Sequence, residues 1–117
     1  MAEVVSIRMP EVLARAVRDD AAQKQMSVSA YVSWILDIAF QGGLDISVLP
    51  DVKERLDSKI DCRLPPEILS RLRSVCRQFR VSPSVYARTL MYAGLTRKLT
   101  LKEVAGRYTL EANHDQR

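Results

Sequence analysis

The chain is poorly supplied with side chains that make or break bonds. Its one histidine, His114, lies in a polar C-terminal stretch, with neither a glycine-rich loop nor an acidic pair to complement it. Nucleophilic catalysis needs a base within reach of a nucleophile, so the chain is expected not to be an enzyme. Cys62 and Cys76 lack the spacing of metal ligands. No metal or cofactor is expected, and both cysteines read as small buried apolar residues. What remains distinctive is a set of binding groups that occurs twice. Arg8 stands two positions before Pro10, and Arg63 two before Pro65. Ser27, Ser29 and Tyr31 return 55 positions later as Ser82, Ser84 and Tyr86. A guanidinium is a rigid fork of donors, and a serine suits the first position of a helix. Such groups hold a partner; they do not transform one.

The elements that must position these residues also repeat. At the same shift Arg18 falls on Arg73, Gln23 on Gln78 and Leu44 on Leu99. Each unit opens with alternation. Val5, Ile7 and Met9 alternate with Val4, Ser6 and Arg8; Ile60, Cys62 and Leu64 alternate with Lys59, Asp61 and Arg63. Period two predicts a strand with one buried and one exposed face. Proline ends each strand and opens a helix. The first helix is predicted over 11–24, with Leu13, Ala16, Val17 and Ala21 inward. Its counterpart is predicted over 66–79, with Ile68, Leu72, Val75 and Phe79 inward. A turn follows, and Ser27 or Ser82 caps a second helix of about 13 residues. "YVSWILDIAF" and "YARTLMYAGL" are apolar round most of their circumference, so each must be buried on nearly all sides. Tyr31, Tyr86 and Trp34 are expected in or at the edge of the core.

One strand and one helix cannot cover such a helix, and a lone strand leaves its backbone groups unpaired. Two units pairing their strands antiparallel would meet both needs. The connector, 44–57, is long enough to let one chain supply both, and Pro50 with "DVKERL" predicts a helical turn inside it. The units are assigned to 1–43 and 58–97, and 98–117 is a C-terminal tail in which Thr100 and Glu103 have the spacing of a capping box for a short helix. No basic stretch leads into an apolar run at the start, and the most apolar stretch, 28–40, is short and contains Asp37. A soluble cytoplasmic chain without membrane contact is expected. Charge is unevenly divided: 1–57 carries −3 and 58–117 carries +7. A basic half favours an anionic partner, although Arg71, Arg73, Arg77 and Arg80 at helical spacing also suit an ordinary solvated face.

Strand, proline, helix, Ser-x-Ser and apolar helix, in that order and twice, resemble the ribbon-helix-helix (Arc/MetJ) superfamily. The resemblance rests on "SIRMPEVLARAVRDDAAQKQMSVSAYVSWIL" and "DCRLPPEILSRLRSVCRQFRVSPSVYARTLM", roughly two-thirds of the chain. The doubled arrangement is similar to that of conjugation and T-DNA-transfer proteins with two units in one chain. It implies a mainly α fold with a short two-stranded antiparallel β-ribbon, a tandem ribbon-helix-helix pseudo-dimer. It also implies sequence-specific binding of double-stranded DNA in the major groove, as a transcriptional repressor. A relaxosome accessory protein for conjugation or mobilisation is a second role, and an antitoxin or anti-activator binding a protein through 98–117 a third. Further self-association on DNA is compatible with each.

By the resemblance, the base-contacting positions are Val4, Ser6 and Arg8 with Lys59, Asp61 and Arg63. The phosphate-contacting positions are Ser27, Val28 and Ser29 with Ser82, Pro83 and Ser84. Residue chemistry allows this. Arginine can give two hydrogen bonds to guanine O6 and N7, and a carboxylate can accept from cytosine N4. A helix N-terminus offers amides to phosphate. Val4 is limited to a thymine methyl, and Pro83 has no N–H to offer. Taken alone, Arg8 and Arg63 also suit plain exposed strand positions; their matched placement in two units favours base contact.

Overall fold

A computed structural model describes residues 3–50, 52–96 and 98–112. Strand β1 (Glu3–Met9) leads through Pro10 into helix α1 (Glu11–Gln23), and helix α2 (Val28–Gly42) follows. A 3₁₀ turn (Ile46–Val48) precedes β2 (Ser58–Leu64), α3 (Pro66–Phe79) and α4 (Pro83–Leu95). A hairpin of β3 (Leu99–Val104) and β4 (Arg107–Ala112) closes the described chain.

Local chemistry explains the boundaries. Pro10 and Pro65 hold extended backbone before α1 and α3, and Pro66 occupies the first turn of α3, where a missing N–H costs nothing. Ser27 and Ser82 cap α2 and α4 by accepting from the amides of Ala30 and Val85 at 3.0 and 3.1 Å. Helix α2 ends at Gly43 with φ 64°, and the Leu44 amide reaches back to the Ala39 carbonyl. Only a left-handed residue closes a helix in that way, and glycine does so without strain.

Strand β1 pairs antiparallel with β2, and β3 with β4, as two separate two-stranded sheets. One apolar cluster joins elements from both halves of the chain. It includes Ile7, Met9, Leu13 and Leu36 from the first half, and Leu64, Leu72, Tyr86 and Leu90 from the second. Among the described residues no helix is long and apolar enough to cross a membrane.

This architecture corrects the expected fold class. Among the described residues four helices carry two sheets, where a tandem ribbon-helix-helix pseudo-dimer with a single ribbon was expected. The capping-box helix at Thr100 and Glu103 is absent; both residues lie in β3. Leu99, Leu101 and Leu110 alternate inward, and Ala105 and Gly106 turn the hairpin at φ 53° and 78°. Burying that apolar alternation outweighs a cap signal.

Smaller corrections follow the same logic. The turn in the connector falls before Pro50, over Ile46–Val48, where Asp45 accepts from the Ser47 amide at 2.9 Å. In α3 the expected Ile68, Leu72, Val75 and Phe79 do pack on the core, but Leu69 and Cys76 join Leu72 as its fully buried residues, while Ile68, Val75 and Phe79 are half-buried. In α1, Ala14 is buried and Ala16 only half-buried.

Candidate nucleic-acid interface

The β1–β2 ribbon has one face in the core and one in solvent. Ile7, Met9, Ile60, Cys62 and Leu64 point inward and are at most 3% exposed. The register sets Val4 opposite Arg63, Ser6 opposite Asp61 and Arg8 opposite Lys59. All six are exposed. They form three cross-strand pairs on one outward face, because side chains two apart on a strand share a face. The face holds three cationic groups and one carboxylate.

The middle pair is not free. Ser6 Oγ donates to Asp61 Oδ1 at 2.6 Å. These two residues are counterparts in the 55-residue repeat, so the ribbon sets each unit's central side chain against the other's. The arginines differ. Arg8 donates from its guanidinium to the Leu56 carbonyl at 3.3 Å. Arg63 has no side-chain partner among the described residues.

The helix starts are tied to this ribbon crosswise. Ser29, on α2, accepts from the Arg63 amide at 2.8 Å. Ser84, on α4, accepts from the Arg8 amide at 3.3 Å. Each bond runs from the helix of one unit to the strand of the other. This work for the second serine of each Ser-x-Ser was not read from the sequence. Its signal was present, since the two serines stand at the same place relative to two matched arginines. Arg88 adds a tie from α4, donating to the Arg8 carbonyl at 2.9 Å.

The positions expected to hold phosphate sit at the two helix starts. Ser27 and Ser82 are exposed caps; Val28, Ser29, Pro83 and Ser84 are half-buried. The first amides of a helix lack intrahelical acceptors, so α2 offers those of Val28 and Ser29. Helix α4 offers only that of Ser84, because Pro83 has none. The cradle is therefore unequal on its two sides.

Surrounding charges are partly committed. Arg73 pairs with Glu3 at 3.2 Å, and Arg71 lies 5.6 Å from the centre of the Phe40 ring. Arg18 reaches the Lys59 carbonyl at 3.5 Å. Arg77 and Arg80 are exposed on and just beyond α3. Beneath the ribbon, burial pushes the Cys62 thiol up to about 11, with Asp61 adding to the shift. It stays a neutral filler. Cys76 is also buried and free.

Tyr86 is buried, and Tyr31 is 8% exposed, its hydroxyl donating to Asp20 Oδ2 at 3.3 Å. Trp34 is only half-buried and meets Tyr108 of β4 edge-on, with ring centres 5.2 Å apart. His114 lies outside the described residues, as does the end of the tail from 113 onward. Compared with protein-family models, curated proteins and solved structures, the chain gives no match.

Proposed function

We propose that the protein binds double-stranded DNA by laying the β1–β2 ribbon in the major groove. It acts on transcription by occupying its site. The observation that carries this reading is the outward row of Val4, Ser6, Arg8, Lys59, Asp61 and Arg63, flanked by the N-termini of α2 and α4. Paired strands lie about 4.8 Å apart, which leaves room for side chains in a groove about 12 Å wide. Lys59, Arg8 and Arg63 supply donors for guanine and phosphate. The helix starts supply amides for phosphates along the groove edges. A row of binding groups, with no reacting constellation beside it among the described residues, suits a protein that works by occupancy.

The test is selection of bound sequences from a random duplex pool by the full chain. One enriched, non-palindromic core is expected, because the two strands present different side chains. Failure to enrich any sequence, with no retention of duplex at low salt, refutes the reading.

A further inference from the structure

The β3–β4 hairpin packs against α2 and α4 and leaves a space of about 260 Å³ beside α1. Leu13 and Val17 of α1 and Leu99, Leu101 and Leu110 of the hairpin line it. Two small residues keep the space open. Ala16 lines it from α1, and a methyl group added at Gly94 of α4 would meet no atom within 4 Å. An apolar cavity of about 150 Å³ accepts benzene, so this one has room for a ring with a short arm.

The lining also carries polar groups: exposed Asp20, Gln23 and Lys24, and buried Tyr31. The two charges in the lining differ in their commitments. Lys24 holds its ammonium 5.7 Å from the centre of the Trp34 ring. Asp20 accepts one hydrogen bond from the Tyr31 hydroxyl at 3.3 Å and has no cationic partner among the described residues. An apolar pocket with a few convergent polar groups is the usual form of a small-molecule site, and here the unanswered group is a carboxylate.

We propose that this cavity binds a small apolar amine, with its hydrocarbon body between α1 and the hairpin and its ammonium on the Asp20 carboxylate. The inference is independent of the DNA reading, since it concerns binding to the free protein.

The experiment titrates the full chain with phenethylamine, with 2-phenylethanol as a neutral twin and with 3-phenylpropanoate as an anionic twin. The methyl resonances of Leu13, Leu99, Leu101 and Leu110 report binding. Phenethylamine should shift them saturably and bind more tightly than the alcohol by roughly fivefold, the upper range for an ion pair open to water on one side. The acid should bind worst. Asp20→Asn should bring amine and alcohol level. Ala16→Phe and Gly94→Leu each fill the space, and whichever folds should abolish the saturable shift. Equal binding of amine and alcohol to the unaltered chain, tighter binding of the acid, or no saturable shift with any of the three overturns the proposal.

Discussion

Arg63 and Arg8 occupy matched positions, yet among the described residues only the guanidinium of Arg8 is held, by the Leu56 carbonyl at 3.3 Å. An unheld fork is free to turn to a base. Under the DNA reading, Arg63→Ala should cost about 1–3 kcal/mol at the selected site and relax preference at one base pair. On a scrambled duplex it should cost much less. Competition binding on both duplexes decides; an equal loss makes Arg63 a phosphate contact. The buried acids make a second prediction at this scale. Burial, helped by Asp20, raises Tyr31 from 10.0 to about 12, and burial raises Tyr86 likewise. Cys62 rises from 9.0 to about 11. These groups bind their protons more tightly folded than unfolded. Their contribution is therefore complete below about pH 9 and is lost as pH climbs toward 12. Urea midpoints should fall over that window, and Tyr86→Phe should flatten part of the fall.

At the scale of elements, β1, β2 and the four helices were largely legible. Alternation at Ile60, Cys62 and Leu64, a following proline and a capping serine are local signals, and local forces set those boundaries. The inward face of α3 was legible only in part. Ile68, Leu72, Val75 and Phe79 do pack on the core, but which of the adjacent apolar Ile68 and Leu69 is fully buried depends on packing against the rest of the core. The hairpin was missed because Thr100 and Glu103 carry a helix-cap spacing, and because its turn uses Ala105 before Gly106 and lacks the asparagine or aspartate that marks such turns. Thr100, Val104 and Thr109 were the strand signals available. The six outward ribbon residues followed from period two alone, whereas the serine-to-strand bonds depend on the relative placement of distant segments. A prediction belongs here too. Trp34 is the only tryptophan, and its edge contact with Tyr108 links α2 to the hairpin. Tyr108→Ala should lower stability by about 0.5–1.5 kcal/mol and shift Trp34 emission to the red. Unchanged emission would mean that the hairpin does not rest there in solution.

Across the whole molecule, charge and connectivity govern behaviour. The second half carries +7 against −3 for the first, so attraction to a polyanion is lopsided. If the ribbon and helix starts hold phosphates, the binding constant should fall by about 0.9 log units per log unit of salt for each phosphate neutralised. A titration from low to moderate salt measures the slope, and a flat line excludes the phosphate contacts. The two strands of the ribbon also come from one chain, with β2 beginning at Ser58 and β1 ending at Met9. The surface they build needs no encounter between molecules, since the connector keeps its two parts together at high effective concentration. Thermal midpoints should therefore stay constant over a hundredfold dilution, whereas a midpoint that rises with concentration would reveal an obligatory second copy. A cell holding only a handful of these molecules would still hold them folded: scarcity, which dismantles any pairing that depends on collision, leaves this ribbon intact.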